Sequence, residues 1–203
     1  MEIALSMPKK KNRVIQIGFN KTGTSSLGKF FTQNKYSVIG SRRTDEIWAN
    51  LQASKPAFTG IQFDLAQDLE NHAEGIYISR YFKDLYESYP NYLFILTTRS
   101  CEKWIQSRLL HHGGRYVRRA MEHTCIHDLD QLCNHWRAEF YQYHLDVTRF
   151  FENKTNFYIH SLETIDVKGL VEFLGNDFKF ENLNYPRVIT GGSAKPKYSL
   201  RAN

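Results

Sequence analysis

The chain has 203 residues, of which 41% are hydrophobic and 14% aromatic, and its formal net charge is +6 at pH 7. This length suits one domain, and this content of apolar residues excludes a wholly disordered chain. The basic balance favours an anionic partner, but no zinc-finger, recognition-helix or aromatic RNA-binding pattern occurs, so nucleic acid is not the expected ligand.

Residues 1–12 are predicted to form a flexible, basic lead-in, and residues 13–203 a single domain. The lead-in lacks the apolar core of a signal peptide, and no apolar run in the sequence is long enough to span a bilayer. The three cysteines, Cys101, Cys125 and Cys133, are odd in number and have no paired spacing. We therefore expect free thiols, no membrane partner and a cytoplasmic location.

Short strands and helices alternate along the chain. Periodicity and breakers predict strands at 14–17, 36–39, within 55–65, at 92–98 and at 156–159, and helices at 25–34, 42–54, 77–89, 101–110, 129–151 and 167–174. Residues 111–119, with two glycines among basic side chains, are predicted either to cover the acceptor or to form a solvated loop. The alternation predicts an α/β fold, a parallel sheet with helices on both faces and ligands at the carboxyl ends of its strands.

Residues 13–27, RVIQIGFNKTGTSSL, carry the clearest functional pattern. An apolar run leads into a turn that contains Gly18 and Gly23, and a helix is predicted to follow. The backbone N–H groups of such a turn converge and the helix dipole adds positive potential, so the arrangement binds a phosphate-like anion. Lys21 adds a positive charge, and the hydroxyl groups of the turn add hydrogen-bond donors.

The spacing is close to the nucleoside triphosphate loop G-x-x-x-x-G-K-[ST] but differs from it. Gly18 and Gly23 are correctly spaced, whereas Thr24 stands in the lysine position and Lys21 lies inside the loop. A lysine three residues earlier lies beside the first phosphate of a ligand and not beside its β- and γ-phosphates. The loop therefore favours a single phosphate with a group attached over a triphosphate.

The segment NKTGTSSL, which starts at Asn20, resembles the 5′-phosphosulfate loop of the sulfotransferases that use PAPS (3′-phosphoadenosine 5′-phosphosulfate), usually written P-K-[ST]-G-T-[TS]-x-L. In a second segment the predicted strand at 92–98 is followed by Arg99, and Ser107 lies eight residues later in the next helix. In that family an arginine and a serine in this context bind the 3′-phosphate. The chain is therefore similar to the small soluble bacterial-type members of the PAPS-dependent sulfotransferase family.

The resemblance implies a P-loop-like parallel sheet flanked by helices, with PAPS as donor, PAP as product and no metal. It implies a hydroxyl acceptor, a carbohydrate or another small polar molecule, and leaves its identity and the oligomeric state open. The implied donor-binding residues are Asn20, Lys21, Thr22, Gly23, Thr24, Ser25, Ser26, Arg99 and Ser107. The basic tail, with Lys195 and Lys197, resembles in composition the loop that closes over the 3′-phosphate.

In-line transfer needs a group that stabilises the leaving phosphate and a base that takes the proton of the acceptor. Lys21 is predicted to fill the first role. Family members use a histidine or a carboxylate as the base, and the candidates are Asp64, then His111 or His112. Asp68 is a further candidate by its position in the sequence, with a helix N-cap as its alternative role.

Two other functions remain open from the sequence alone. A small P-loop kinase requires Mg²⁺-dependent ATP binding, which the displaced lysine disfavours. A non-catalytic module that binds PAP or nucleic acid would keep the anion pockets without a base. A zinc site is not expected, because the cysteines and histidines between positions 123 and 135 fit no finger or ribbon spacing: His123, Cys125, His127, Cys133 and His135.

Overall fold

A five-stranded sheet, parallel throughout, forms the centre of the computed structural model, which describes residues 12–188. The strands in these residues are β1 (Val14–Gln16), β2 (Val38–Ile39), β3 (Leu65–Ala66), β4 (Glu70–Asn71), β5 (Ile76–Tyr77), β6 (Leu93–Thr98) and β7 (Phe157–Ser161). The sheet has the order β2-β3-β1-β6-β7, while β4 and β5 form a separate antiparallel hairpin. The predicted α/β class is confirmed. Most of the lead-in, together with Lys195 and Lys197 of the tail, lies outside the described residues.

Helices cover both faces of the sheet. They are α1 (Thr24–Gln33), α2 (Thr44–Gln52), α3 (Phe82–Ser88), α4 (Cys101–Leu109), α5 (Arg115–Thr124), α6 (Leu129–Phe151) and α7 (Val167–Leu174). Two apolar clusters result, because successive residues of a strand point to opposite faces. Ile15 and Phe94 pack in one cluster, whereas Val14 and Ile95 pack in the other.

Several predicted elements agree closely with the structure. The bounds of α6 and α7 match the predicted helices at 129–151 and 167–174. Asp128 accepts a hydrogen bond from the backbone N–H of Gln131 at 2.8 Å, which caps the start of α6. The apolar face of α1 is also as predicted, since Leu27, Phe30 and Phe31 are buried. Strong helical periodicity therefore located these elements correctly.

Three predictions of local structure are wrong. Residues 77–89 were predicted as one helix, but Tyr77 lies in β5 and a 3₁₀ turn, Ile78–Tyr81, precedes α3. Residues 111–119 are not a loop, because a 3₁₀ turn, His111–Gly114, leads directly into α5, whose Tyr116 and Val117 are buried. The strand predicted within 55–65 begins only at Leu65. In each case the local sequence pattern was weak, and tertiary packing determined the secondary structure of the segment.

The topology brings three chain segments to one edge of the sheet. From β1 the chain passes to β2 and β3 on one side, and later to β6 and β7 on the other, so β1 lies at the point where the order reverses. Ligands of open parallel sheets bind at the carboxyl ends of the strands at such a point. The segments that follow β1, β3 and β6 therefore meet there.

His160 of β7 is expected to make stability depend on pH. It is 1% exposed, and neither ring nitrogen has a hydrogen-bond partner among the described residues. Burial lowers its pKa from 6.5 to about 4, so the unfolded chain binds a proton more readily between these values. The free energy of unfolding should fall by about 3 kcal/mol from this residue as the pH drops from 7 to 4.

Urea unfolding of wild type, His160→Phe and the control His127→Gln between pH 4 and 8 measures this contribution. His127 is exposed, so its variant should follow the wild-type pH dependence. The free energy of unfolding of His160→Phe should rise relative to that of wild type as the pH falls. A constant difference across this range would contradict the prediction.

Candidate active site

The turn after β1, residues 17–23, is fixed to the neighbouring strands by close packing and by buried hydrogen bonds. A Cβ atom at Gly18 would lie 2.2 Å from the carbonyl oxygen of Thr97, so only glycine fits there. Gln16 Nε2 donates to the Gly18 carbonyl and to Thr97 Oγ1, both at 2.7 Å. Gln16 Oε1 accepts from the backbone N–H of Asp68 at 3.0 Å. One buried glutamine thus ties together the segments that follow β1 and β3 and the end of β6.

Asn20 faces the interior and shapes the turn with both its backbone and its side chain. Its backbone N–H donates to Glu70 Oε1 at 3.0 Å, and its Nδ2 lies 2.9 Å from His72 Nε2. Its Oδ1 accepts from Arg108 Nε at 3.3 Å, and its carbonyl accepts from Trp104 Nε1 at 3.0 Å. The side chain is therefore hydrogen-bonded within the protein. Asn20 would assist ligand binding by fixing the shape of the turn.

Thr22 also faces inward, whereas the start of α1 has no side chain that caps it. Thr22 is fully buried, its hydroxyl donates to the Phe19 carbonyl, and it lies 2.8 Å from Thr97 Oγ1. Gly23 precedes α1 with φ of 100°, a left-handed conformation, and offers no capping side chain. No acidic residue lies in the first turn of α1. The N–H groups at Thr24, Ser25 and Ser26 therefore start a helix whose positive end is available to an anion.

Lys21 is placed at the same edge and is half-buried. Its φ of 63° is uncommon for a residue with a side chain and is typical of functional sites. Burial lowers the pKa of its ammonium group, and the nearby carboxylate of Asp68 acts in the opposite direction. The lysine and the aspartate therefore face one region of the site, although they come from different loops.

Arg99 brings a second cation to the turn. It follows β6, and its Nη1 donates to the carbonyl oxygen of Lys21 at 3.3 Å. Its Nε is buried and has no hydrogen-bond partner among residues 12–188. Burial lowers the pKa of its guanidinium, with Glu163 opposing this effect. Ser107 lies half-buried on α4, the next helix, as predicted.

Asp68 is the carboxylate whose charge acts on Lys21. It follows β3 in a left-handed conformation, with φ of 49°. Burial raises its pKa to about 6, the charge of Glu70 adds to this effect, and His72 and Lys21 oppose it. A carboxylate with a pKa close to neutral is well suited to accept a proton.

Asp64, the first predicted base, lies at the wrong edge of the sheet. It precedes β3, and its Oδ2 accepts hydrogen bonds from the backbone N–H and the hydroxyl of Ser37 at 2.8 and 3.0 Å. Val14 pairs in parallel with Leu65, so Asp64 lies beside the amino end of β1 and the turn lies beyond its carboxyl end. We therefore replace Asp64 by Asp68 as the candidate base.

His111 and His112 begin the 3₁₀ turn His111–Gly114 between α4 and α5. His111 follows α4, and its ring centroid is 5.7 Å from that of Tyr116, which is itself 4.8 Å from the ring of His72. The rings of Tyr116 and His72 therefore lie between His111 and Asn20 of the turn. His111 stays a predicted alternative base, and the side chain of His112 lies outside what the structure describes.

Sequence reasoning missed the residues that support the turn: Glu70, His72 and Arg108. Glu70 and His72 lie on the unpredicted hairpin, so no local pattern marked them. Arg108 is only 3% exposed, with its guanidinium carbon 3.8 Å from the ring centroid of Trp104 and its Nη1 3.7 Å from Glu139 Oε2. An arginine four residues after a tryptophan on the apolar side of a helix was the available signal.

Across residues 12–188, no three histidine, cysteine, aspartate or glutamate side chains are grouped so that they could hold a metal ion. No helix in this range is both long and apolar enough to cross a membrane.

Comparison with known proteins agrees with this geometry. A family model described as a sulfotransferase domain matches residues 13–158. The matched region runs from the residue before β1 into β7, so it contains the turn, Asp68, Arg99 and Ser107. The comparison with curated proteins found no match.

Proposed function

We propose that this chain, which belongs to the sulfotransferase domain family, transfers the sulfuryl group of PAPS to an acceptor hydroxyl. The observation that carries the proposal is the meeting of Lys21 and Arg99 at one turn, where Nη1 of the arginine donates to the lysine carbonyl. The buried Arg99 Nε lacks a partner among the described residues and offers a donor to a second anionic group. A donor with a 5′-phosphosulfate and a 3′-phosphate fits two cations so arranged.

The donor-binding residues divide into two groups. The turn N–H groups, Lys21 and the first turn of α1, with Thr24, Ser25 and Ser26, would hold the 5′-phosphosulfate. Arg99 and Ser107 would hold the 3′-phosphate, to which the predicted tail lysines, Lys195 and Lys197, would add charge. Asn20 and Thr22 would act by holding the turn in shape, because both side chains bond within the protein.

Asp68 and Lys21 would divide the chemistry of transfer. Asp68 accepts the proton as the acceptor O–H bond breaks and its oxygen bonds to sulfur. Lys21 stabilises the charge that develops on the phosphate oxygen as the sulfur–oxygen bond breaks. PAPS supplies the activated sulfuryl group, so no metal is required. A half-buried carboxylate whose charge acts on the lysine also favours an enzyme over a module that only binds PAP.

Two adjoining cavities beside the hairpin support a polar acceptor, such as a carbohydrate. Their volumes are about 510 and 290 Å³, and they share Tyr77 and Arg80 as walls. Tryptophan rings and charged groups line both, with Trp48 and Asp45 in one and Trp136 and Glu139 in the other. Flat rings beside charged groups suit a ring with several hydroxyls. A 570 Å³ cavity, lined by Tyr92 and Asn156, lies near the amino ends of β6 and β7 and is remote from the turn.

The state of the cysteines supports the cytoplasm as the place of action. Cys101, Cys125 and Cys133 are all free thiols. Thiols persist where glutathione and thioredoxin keep the environment reducing.

Thermal-shift titration with PAP tests the donor without knowledge of the acceptor, because a ligand of the folded state raises the melting temperature. We expect wild type and the control Arg42→Ala, an exposed arginine, to be stabilised by PAP. Arg99→Ala should lose most of this shift, since it removes the charge that faces the 3′-phosphate. Stabilisation by ATP with Mg²⁺ alone would instead favour a kinase and overturn the proposed donor.

A further inference from the structure

Arg108 brings a buried positive charge to the wall of the smaller cavity beside the hairpin. The residue is 3% exposed, and it lines the 290 Å³ cavity together with Arg80, Tyr116, Trp136 and Glu139. A guanidinium remains charged when it is buried, so it needs partners that replace the water it has lost. The number and distance of these partners therefore show what the cavity lacks.

The partners of Arg108 match its charge only in part. Among the described side chains, the guanidinium donates from Nε to Asn20 Oδ1 at 3.3 Å, while Nη1 lies 3.7 Å from Glu139 Oε2, beyond hydrogen-bond distance. Aromatic rings surround it, and its central carbon is 3.8 Å from the ring centroid of Trp104 and 5.2 Å from that of Trp136. Rings attract a cation without neutralising it. The guanidinium is therefore able to bind a further anionic group.

Glu139 is shared between two arginines. It forms an ion pair with Arg80 through Oε1 and faces Arg108 through Oε2. One carboxylate thus opposes two guanidiniums in the 290 Å³ cavity. In the 510 Å³ cavity the balance is reversed, because Asp45 and Glu74 line it together with Arg80. The smaller cavity therefore favours an anionic group and the larger one does not.

We propose that the 290 Å³ cavity binds an anionic group of the acceptor, so that the acceptor is an acidic sugar or a similar hydroxyl compound that carries a carboxylate or a sulfate. This inference rests on the proposed function in one respect, because only that function makes the bound molecule an acceptor. Arg108 and Arg80 hold the anionic group, and the rings of Tyr116 and Trp136 pack beside the rest of the molecule. The volume is at the lower end for ligand cavities and suits one sugar ring.

Other groups around the cavity are compatible with an anion. His123 and His135 also line it and add ring nitrogens. The charge of Glu70 acts on Tyr77 of the wall, but Glu70 Oε1 accepts from the backbone N–H of Asn20 and the residue does not line the cavity. Since Arg108 donates to Asn20, the residue before Lys21, a molecule anchored on Arg108 lies close to the turn.

Matched sugars test the charge preference without turnover. Methyl β-glucuronide and methyl β-glucoside differ by one carboxylate, and glucose 6-sulfate carries a sulfate instead. Nitrogen-15 NMR of the three tryptophan indoles reports where they bind, because Trp136 lines the smaller cavity, Trp48 lines the larger one and Trp104 stacks on Arg108. We expect the anionic sugars to shift the Trp136 and Trp104 signals more than that of Trp48.

Methyl β-glucoside should bind about tenfold more weakly than the glucuronide, because it lacks the charge-assisted hydrogen bonds to the arginines. Binding of either anionic sugar with this preference supports the site, and the tighter of the two identifies the anion it prefers. Equal affinity of the glucuronide and the glucoside, or shifts confined to Trp48, would overturn the proposal. So would the absence of any shift with both anionic sugars.

Two substitutions in the cavity should have opposite effects on the affinity for the glucuronide. Arg80→Gln removes a positive charge and should weaken binding by about fivefold to tenfold. Glu139→Gln removes the competing carboxylate at nearly equal volume and should strengthen binding. Arg149→Gln, at an exposed arginine near the end of α6, is the control and should match wild type. A change of the same sign in Arg80→Gln and Glu139→Gln would contradict a site for an anion.

PAP formation from PAPS with the same sugars separates this inference from the proposed function. Faster formation with the glucuronide than with the glucoside, and loss of that difference in Arg80→Gln, would support both. Anionic sugars that bind with the expected preference to a protein without PAP binding would contradict the donor and support the anion site. PAP binding without any preference for the anionic sugars would overturn the anion site alone.

Discussion

Replacing Lys21 by alanine is expected to lower the rate of sulfuryl transfer by about 10²–10³-fold, the usual loss when one stabiliser of developing negative charge is removed. Lys21 is half-buried, and burial lowers the pKa of its ammonium group, so its charge acts in surroundings that screen it less than water does. Its backbone adopts an uncommon left-handed conformation, with φ of 63°. The measurement is PAP formation at saturating PAPS.

Two further variants make the Lys21 result specific. Lys29→Ala removes an exposed lysine from α1 and should leave the rate unchanged. Lys21→Arg keeps the charge but spreads it over a larger planar group, so it should recover only part of the rate. Equal rates for Lys21→Ala and Lys29→Ala would remove Lys21 from the chemistry.

Asp68→Asn should inactivate the protein and make it more stable at the same time. Loss of a general base lowers the rate by about 10²–10⁴-fold. The folded chain raises the pKa of Asp68 from 3.8 to about 6, so the ionised carboxylate destabilises the folded state at neutral pH. This difference corresponds to about 3 kcal/mol, which Asp68→Asn should recover.

The pH dependence of that stability gain checks its cause. Between pH 4 and 6 the folded state binds more protons at Asp68 than the unfolded state does, so the contribution of this residue to stability falls as the pH rises. The gain from Asp68→Asn should therefore be full at pH 8 and small at pH 4. Urea unfolding at both values measures it, and an equal gain at the two pH values would contradict this origin.

Asp64→Asn is the matched control for Asp68→Asn and should have the opposite effect. Asp64 accepts two hydrogen bonds from Ser37 at the other edge of the sheet. Its amide variant loses the charge that strengthens these bonds, so it should unfold more easily and keep its activity. If Asp64→Asn inactivated the protein while Asp68→Asn did not, the assignment of the base would be reversed.

The parts of the site that the sequence predicted are those whose signal is local. A strand, a turn with two spaced glycines and a helix start within 15 consecutive residues, 13–27, were enough to locate the turn that carries Lys21 between β1 and α1. Arg99 was found in the same way, from a strand end and the helix after it. The longest helix, α6, showed its apolar side over six turns, and its bounds match the prediction.

What the sequence by itself determined is thus the α/β class, the turn that carries Lys21, and the order of strands and helices that carries Arg99 and Ser107. Only the tertiary structure decided that Asp68 and not Asp64 faces Lys21, because four positions along one segment separate the two edges of a parallel sheet. It also decided that Glu70, His72 and Arg108 meet at Asn20. These contacts join residues about 50 to 88 positions apart. A short sequence pattern cannot predict them, because they depend on how three chain segments pack together.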